Sequence, residues 1–356
     1  MNTNKLYYWL SLSGASDRKL NTILDIYSPE EIWDELPSSD RLREFLGEKA
    51  ADALLRFRYE SYLDRELAKI SDLNIRIVTR ASDEFPQKLR QKEVCPPMLL
   101  YYKGDLAVTE TTCVAIVGTR ACSSYGREVA EQLARGLAES GVTVVSGLAT
   151  GIDGYAHGEC IRAGGKTIAV LGGGLNNITP TSNIKLSDEI EYSGVVLTQY
   201  PPDRSPTKYT FPERNRLISG LSLGTVVVEA SEKSGALITA DFALEQGREV
   251  FAVPGNITSS KSKGSNRLIC EGAKVVCGVE DILTELRLNI PKKEKSAVLT
   301  LDFLEEKIYT LLQSGDKSIE ELVQLSGMSP AEVNSTTLNM EIKGIIIRRA
   351  NAYGIR

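Results

Sequence analysis

The sequence CVAIVGTRACSSYGREVAEQLARGLAESGVTVVSG, residues 113–147, contains one complete strand–helix–strand pattern. An apolar, partly β-branched run from Cys113 to Val117 is followed by apolar residues at helical spacing between Gly126 and Ser140. A second strand-like run, Val142 to Val145, comes next. Because a short glycine-containing turn joins the first strand to the helix, the pattern predicts a β–α–β unit with parallel strands.

The same alternation extends in both directions from this unit. It predicts further strands at Leu73 to Thr79, Thr167 to Leu171, Val195 to Thr198, Thr225 to Val228, Glu249 to Val253 and Lys274 to Val276. A helical pattern over Leu237 to Gly247 separates two of these strands. Strands that alternate with helices predict an α/β fold with a doubly wound, mostly parallel sheet. In such sheets ligands bind where loops leave the carboxyl ends of the strands.

Two helical regions flank this sheet domain, which we expect over residues 69–290. Residues 1–68 are rich in helix formers with helical spacing of apolar residues, which predicts a small helical domain of the SAM-like kind. A lysine-rich linker is expected at residues 291–300. Residues 301–356 show three helical patterns followed by a strand pair, which predicts a winged-helix domain.

The composition is that of an ordinary globular chain of 356 residues, with 42% apolar and 25% charged residues. This composition excludes collagen-like and intrinsically disordered classes. A net charge of −5 excludes wholesale attraction to nucleic acid, although it allows a local basic site. The six cysteines form no CxxC pair and there is one histidine, so we expect no zinc site. We expect a cytoplasmic location and no membrane contact, because no secretory signal and no long apolar run is seen.

Two glycine-rich segments fail as nucleotide-binding motifs. Gly164-Gly165-Lys166-Thr167 lacks the earlier glycine of a P-loop and leads into a strand instead of a helix. Gly172-Gly173-Gly174 misses the last glycine of G-x-G-x-x-G, where Asn177 stands. We therefore expect no nucleotide cofactor, and no other cofactor.

Three strand-to-helix loops have the residues of an anion-binding edge. Gly118-Thr119-Arg120 follows the first strand, Ser146-Gly147 follows the second, and Ser234-Gly235 follows the strand at residues 225–228. Small residues allow close backbone approach, and amides at a helix start can donate to phosphate oxygens. Three such loops at one edge favour an extended ligand over a single phosphate. A turn arginine paired with a nearby acid is the alternative for Arg120.

Two polar residues beside the second loop have simpler interpretations. Asp153 is expected to cap the helix that carries Ala156 and His157. His157 is expected to have a packing or hydrogen-bonding role, because no recognisable motif places a nucleophile beside it.

A basic cluster lies at residues 204–216, with four cations and one acid. Tyr209 and Phe211 interleave with the cations, as expected where bases stack and phosphates are neutralised in single-stranded nucleic acid. The alternative is a solvated loop leading into a helix from Arg214 onward. Residues 261–267 form a second patch, with three cations and no acid.

Further motifs follow one another in residues 70–290, and their order along the chain is specific to one protein family. They are the loops above with Gly151-Ile152-Asp153 and Ala156-His157, then Phe211-Pro212 with RNRLISG at 214–220, then Val228-Glu229-Ala230 with SGALITA at 234–240, then VFAVPG at 250–255, and finally Gly264 with Asn266. Together they resemble the DNA-processing protein A family (DprA, also called Smf). The flanking helical and winged-helix domains also fit the layout of that family.

The resemblance implies a Rossmann-like homodimer that binds and protects incoming single-stranded DNA and helps to load the RecA recombinase during natural transformation. It implies a binding protein and not an enzyme. Arg120 and Lys208 would hold phosphates, Phe211 would support a base or sugar, and Arg214 and Asn215 would frame the pocket. The full set of DNA-binding positions carried by the matched motifs is Gly118, Thr119, Arg120, Ser146, Gly147, Lys208, Phe211, Arg214, Asn215, Ser234, Gly235, Thr239 and Asn266.

The chain departs from the family pattern at Ile178-Thr179-Pro180-Thr181. Thr179 and Thr181 stand where the family usually has an aromatic and a basic residue. Lys185 is a candidate to replace the missing cation.

Two other functions compete with this interpretation. Gly224-Thr225 with Glu229 resembles, one residue out of step, the Gly-Thr-x-x-Glu signature of the lysine-decarboxylase-like phosphoribohydrolases, which cleave nucleotides. The winged helix could also bind duplex DNA. Its candidate recognition helix, residues 331–342, carries two glutamates and no basic residue, so contact with protein or a structural role fits it better.

Overall fold

The computed structural model describes residues 1–288, 301–349 and 352–355. The linker predicted at 291–300 lies outside the described residues. The chain forms two compact units, Met1–Ile290 and Pro291–Arg356.

The first unit contains a nine-stranded sheet in the order β1-β2-β6-β5-β4-β3-β7-β8-β9. The strands are β1 Arg76–Thr79, β2 Leu99–Gly104, β3 Cys113–Val117, β4 Thr143–Ser146, β5 Thr167–Val170, β6 Val195–Thr198, β7 Gly224–Val227, β8 Glu249–Ala252 and β9 Lys274–Val275. Every pairing from β6 to β9 across the sheet is parallel. This confirms the doubly wound, Rossmann-like α/β fold.

Strand β2 is the one strand of the nine-stranded sheet that the sequence analysis missed. It pairs antiparallel with β1 and with β6. Its apolar part, Leu99 to Tyr102, is buried throughout and so shows no alternation of apolar and polar residues. A continuous apolar run after Pro96-Pro97 was the available signal.

Six helices precede the sheet and share a hydrophobic core with one of its faces. They are α1 Thr3–Ser11, α2 Asp17–Leu24, α3 Pro29–Glu35, α4 Asp40–Leu46, α5 Glu48–Arg56 and α6 Glu60–Asp72. Ser28 and Ser39 cap α3 and α4. The buried Trp9 belongs to the same core as Tyr101 of β2 and Val196 of β6. Because these helices lie in one compact unit with the sheet, a domain boundary near residue 68 remains a prediction.

The remaining helices of this unit cover the two faces of the sheet. They are α7 Ser124–Glu139, α8 Ile152–Arg162, α9 Ile184–Ser193, α10 Thr210–Gly220, α11 Gly235–Glu245, α12 Lys263–Cys270 and α13 Val279–Glu285. Alternate side chains of β3 enter different cores: Val114 joins the core with Leu133 of α7, whereas Ala115 joins the core with Leu217 of α10. Strand β3 is thus buried on both faces, as expected for a central parallel strand.

The strand order places a topological switch point between β3 and β7. After β3 the chain continues to β4, β5 and β6 on one side, and then returns to β7 on the other side of β3. The loops that follow β3 and β7 therefore diverge and leave a crevice at the carboxyl edge.

The second unit is a winged helix, as the sequence predicts. Its helices are α14 Phe303–Leu312, α15 Ile319–Ser326 and α16 Pro330–Ile342, and its strands are β10 Lys317–Ser318, β11 Ile346–Arg349 and β12 Ala352–Ile355. The sheet order is β10-β12-β11. Ile308, Leu322, Val333 and Met340 form its buried core. In the part of the chain that the structure describes, no helix of either unit is long and apolar enough to cross a membrane.

Candidate nucleic-acid interface

A cavity of about 340 Å³ occupies the switch point, and we call it the rim cavity. Its walls come from the loop after β3, from α10 and from the start of α11. The residues that line it are Val117, Gly118, Thr119, Arg120, Ala149, Asp153, Phe211, Pro212, Arg214, Asn215, Ile218, Ser231, Ser234, Gly235, Ala236, Ile238 and Thr239. Nine of the thirteen DNA-binding positions predicted from the sequence are in this set, which brings the loops after β3 and β7 together.

The loop after β3 is held rigidly, so that Arg120 has a defined position. A Cβ atom at Gly118 would lie 2.5 Å from the Ile152 side chain, so only glycine fits there. The Thr119 amide donates to the Glu229 carbonyl at 2.8 Å. The buried Glu229 carboxylate accepts from the Ser123 amide at 2.8 Å and from Ser123 Oγ at 2.6 Å. These bonds fix the loop to the end of β7.

Arg120 and Phe211 meet at the mouth of the rim cavity. The guanidinium carbon of Arg120 lies 4.8 Å from the centre of the Phe211 ring. The ring is half-buried and rests against Gly172, where a Cβ atom would lie 2.7 Å from Cδ1 of Phe211. Arg120 is exposed, and among the described residues no carboxylate forms an ion pair with it. The alternative of a turn arginine paired with an acid therefore does not fit the structure.

Arg214 is buried and has a structural part in the cavity wall. Its Nη1 donates to the Gly147 carbonyl at 2.7 Å and to the Val170 carbonyl, and its Nε donates to Asn215 Oδ1 at 3.2 Å. Burial lowers the pKa of Arg214 to about 10, and the negative charge of Asp153 acts in the opposite direction by raising it. With Nη1 bound to the backbone and Nε bound to the Asn215 side chain, Arg214 forms part of the cavity wall.

Asp153 does not cap α8, so that prediction is wrong. The N-cap of α8 is Gly151, and Asp153 lies in the first turn. Its carboxylate accepts from the amides of Gly147 at 3.2 Å and Ala149 at 3.4 Å, in the loop that precedes the helix. Burial raises the pKa of Asp153, and the charge of Arg214 lowers it. The acid thus braces the loop after β4 instead of closing the helix end.

The start of α11 forms the opposite wall. Ser234 is its N-cap, and Ser234 Oγ accepts from the Ala236 amide at 3.3 Å. Asn215 Nδ2 donates to the Gly235 carbonyl at 3.2 Å, which ties α10 to α11. Thr239 is buried one turn further along the same helix. The predicted helix start therefore faces the cavity.

Four predicted positions lie outside the lining of the rim cavity. Ser146 is buried and its Oγ donates to the Ile116 carbonyl at 2.6 Å. Gly147 lies against the Arg214 guanidinium, where a Cβ atom would approach to 2.5 Å. Asn266 Oδ1 accepts from the Gly255 amide and Asn266 Nδ2 donates to the Gly255 carbonyl, both at 3.0 Å. Lys208 is exposed, with its Nζ 5.0 Å from the centre of the Tyr209 ring.

The basic cluster at residues 204–216 holds less available charge than its composition indicates. Besides Arg214, Arg216 is also buried, and it bonds Asp17 at 2.5 Å and the Cys95 carbonyl at 2.6 Å. Only Arg204 and Lys208 are exposed. The cluster also is not a loop up to Arg214, because α10 already begins at Thr210.

The second patch, at residues 261–267, is partly neutralised. Lys263 lies 3.9 Å from Glu232, and Arg267 lies 2.7 Å from Glu271. The sequence count of three cations therefore overstates the charge available to a ligand.

The segment that departs from the family pattern lies at another cavity. Thr179 and Thr181 line a space of about 480 Å³ that shares no residue with the rim cavity. Lys185 is exposed on α9. Asn183, which the sequence analysis did not single out, donates from Nδ2 to the carbonyls of Leu148 at 3.0 Å and Ala149 at 3.1 Å. Because asparagine before a helix is common, the sequence offered little signal for this contact.

His157 has the packing and hydrogen-bonding role that the sequence predicts. It is fully buried, and its Nδ1 lies 2.7 Å from Thr167 Oγ1. The Thr167 hydroxyl donates its proton to the Val144 carbonyl, so Nδ1 of His157 must be the donor in the first bond. Its buried Nε2 has no hydrogen-bond partner among the residues that the structure describes, and burial lowers the pKa of His157 to about 3.

The glutamate of the rival nucleotide-cleaving signature is unsuited to catalysis in this position. Glu229 is 2% exposed, and both of its oxygens are bonded to Ser123. A general base must reach the proton that it abstracts. The structure uses this carboxylate to fix a loop, which does not favour the phosphoribohydrolase alternative.

Comparison with known proteins agrees with the family resemblance of the motifs. The family model described as DNA recombination-mediator protein A matches residues 76–287. DNA processing protein DprA of Bacillus subtilis is 43% identical over 63% of this chain and 75% of its own length. DNA processing protein DprA of Streptococcus pneumoniae is 39% identical over 80% of this chain and 98% of its own length.

Two solved structures share the fold. The crystal structure of DNA processing protein A from Streptococcus pneumoniae aligns with a TM-score of 0.70 at 36% identity, over 79% of this chain and 97% of that one. A structure of DNA processing protein A from Helicobacter pylori aligns with a TM-score of 0.53 at 31% identity, over 60% of this chain and 95% of that one. The chain therefore belongs to the DNA recombination-mediator protein A family, the DprA/Smf family that its motifs resemble.

Proposed function

We propose that this protein binds single-stranded DNA at the rim cavity, with a base or sugar against Phe211 and phosphates at Arg120 and Lys208. The observation that carries the proposal is the position of the exposed Arg120 over the Phe211 ring, at the mouth of a cavity large enough for part of a nucleotide. An aromatic platform beside cations is the usual arrangement for sequence-tolerant binding of single strands. The Helicobacter pylori structure concerns the single-stranded DNA binding mode of that relative, which supports the same ligand here.

The test is a fluorescence anisotropy titration of labelled oligothymidine and of a duplex of equal length, at two salt concentrations. We expect preference for the single strand and weaker binding at the higher salt, because phosphate contacts release counterions. Equal affinity for single strand and duplex would contradict the proposal. Incubation with nucleoside monophosphates tests the rival enzyme, and release of free base would favour it.

The fuller role is that a homodimer in the cytoplasm protects incoming DNA and delivers it to the RecA recombinase in natural transformation, by binding and not by catalysis. The family resemblance supports this role. It predicts that the protein shortens the lag before RecA filaments form on single-stranded DNA, and that nuclease digestion of the bound strand slows. A RecA lag that does not change with added protein would contradict the loading step.

A further inference from the structure

A second cavity lies beside the rim cavity and shares Arg120 with it. This side cavity has a volume of about 430 Å³, and its walls include Arg120, Thr150, Gly151, Tyr155, Asn183 and Leu186. Arg120 thus contributes to two cavities, one with the Phe211 ring and one with the Tyr155 ring. A single cation between two aromatic-lined spaces suits a phosphodiester that joins two successive nucleotides.

The loop that carries Arg120 is fixed against the start of α8, so the two cavities keep a defined relation. Gly151 has a φ of +76°, and a Cβ atom there would lie 2.4 Å from the Thr119 carbonyl oxygen. The Ile152 amide donates to that same carbonyl at 3.4 Å. The half-buried Tyr155 ring follows on α8, with the guanidinium carbon of Arg127 4.7 Å from its centre.

The charges that line the side cavity differ from those that line another space beside the rim cavity. A third space, of about 350 Å³, shares Ser234 and Ile238 with the rim cavity. We call it the acidic cavity, because Glu232, Asp241 and Glu271 all line it. Of the described residues that line the side cavity, none carries a carboxylate. A polyanion that leaves the rim cavity meets three carboxylates on one side, offset by Lys233, by Arg267 and by Lys263, which pairs with Glu232. On the other side it meets only the positive charge of Arg120.

We infer that the side cavity is a second nucleotide subsite, so that the strand runs from the rim cavity across Arg120 to Tyr155 and away from the acidic cavity. The inference rests on the proposed function and adds the path of the strand. It assigns Tyr155 and Thr150 to the DNA interface, although no sequence motif singled them out.

Thr150 offers a test in which only charge changes. It is exposed on the wall of the side cavity, so glutamate and glutamine at this position differ in charge and hardly in size. We expect Thr150→Glu to weaken binding of a twelve-nucleotide oligothymidine by about tenfold, because it places a carboxylate beside the phosphate path. Thr150→Gln should stay within about twofold of the unsubstituted protein. Thermal melts of both variants check that the fold is unchanged.

Two further variants locate the path. Asp241→Asn removes an exposed acid from the acidic cavity and should leave the affinity unchanged. Tyr155→Ala should weaken binding by roughly fivefold or more, whereas Tyr155→Phe, which keeps the ring, should not. Equal affinities of Thr150→Glu and Thr150→Gln, or tighter binding by Asp241→Asn, would overturn the path while the unsubstituted protein still binds DNA. Failure of the unsubstituted protein to bind single strands would overturn the proposed function and the path together.

Discussion

The guanidinium carbon of Arg120 lies 4.8 Å from the centre of the Phe211 ring, although ninety positions of sequence separate the two residues. Arg120 follows β3 and Phe211 lies in the first turn of α10, and the switch point between β3 and β7 brings them together. A cation beside an aromatic face combines phosphate attraction with base stacking in one place.

Loss of the Phe211 ring should remove a stacking platform. We expect Phe211→Ala to weaken oligothymidine binding by about 1–3 kcal/mol, roughly 5- to 150-fold in affinity, as measured by anisotropy. Phe211→Tyr keeps the ring and should bind within about twofold of the unsubstituted protein. Equal affinity of Phe211→Ala and the unsubstituted protein would exclude the ring from the interface.

Gly172 should influence binding through the position of that ring. A Cβ atom at this residue would lie 2.7 Å from Cδ1 of Phe211, so Gly172→Ala must displace the ring or the strand end. We expect weaker oligothymidine binding, by roughly fivefold or more. The control is Gly158→Ala on α8, where a Cβ atom would lie 3.7 Å from the nearest atom, at ordinary contact distance. Gly172→Ala and Gly158→Ala variants of equal affinity would show that the ring position is unimportant.

The cations should be visible in the salt dependence. Arg120→Ala and Lys208→Ala should each reduce the slope of log affinity against log salt by about 0.7, the value for one lost phosphate contact on a single strand. Arg43 is a matched control, because it is a surface arginine that pairs with Asp52 at 2.8 Å within the helical region. Arg43→Ala should leave the slope unchanged. If Arg120→Ala and Lys208→Ala had the same slope as Arg43→Ala, the phosphates would not contact Arg120 or Lys208.

Arg214 should be needed for stability, unlike Arg120. Arg214→Met would leave the buried Asp153 carboxylate without its opposing charge and the Gly147 carbonyl without its donor. We expect a loss of about 3–5 kcal/mol in the free energy of unfolding, measured by urea denaturation. The double variant Arg214→Met with Asp153→Asn should recover part of this loss, because the uncompensated charge is gone. No difference between Arg214→Met and Arg120→Ala in urea would contradict the structural role.

His157 should make the fold sensitive to acid. Its pKa is lowered from 6.5 to about 3 by burial, so below pH 6.5 the unfolded chain binds a proton that the folded chain does not. Stability due to this group is complete above pH 6.5 and falls as the pH drops toward 3, by up to about 1.4 kcal/mol per pH unit.

The comparison is with His157→Asn, which can still donate to Thr167 Oγ1 but does not titrate. Urea denaturation at pH 7 and pH 5 should show a smaller loss of stability on acidification in this variant than in the unsubstituted protein. An equal loss of stability from pH 7 to pH 5 in the two proteins would mean that folding does not change the pKa of His157.

The sequence predicted the sheet and most of the rim cavity because both depend on local patterns. Buried strands followed by glycine turns are visible along the chain, and parallel strands bring the loops after β3 and β7 to the same edge. Gly118, Arg120 and Ser234 could therefore be placed at this edge of the sheet without coordinates. The apolar part of β2 is buried throughout and so lacks alternation, which is why the strand was missed.

The sequence could not show which charged residues are buried and bonded to other groups within the folded protein. Arg214 and Arg216 read as part of a basic cluster, yet both are buried and bonded to groups distant in sequence, such as Gly147 and Asp17. Asp153 has the spacing of a helix cap, but its carboxylate turns back to the preceding loop. Such partners are set by tertiary contacts, which composition and spacing do not record.

The most direct test of DNA binding at the rim cavity is photocrosslinking of a single strand that contains 5-iodouracil, followed by mass spectrometry of the adducts. Iodouracil reacts with an aromatic ring that contacts it, and fragment ions distinguish Phe211 from the neighbouring exposed Tyr209. We predict an adduct on Phe211 that disappears when unlabelled oligothymidine is added in excess. Adducts confined to the winged-helix unit or to residues 1–72, with Phe211 unmodified, would contradict the account.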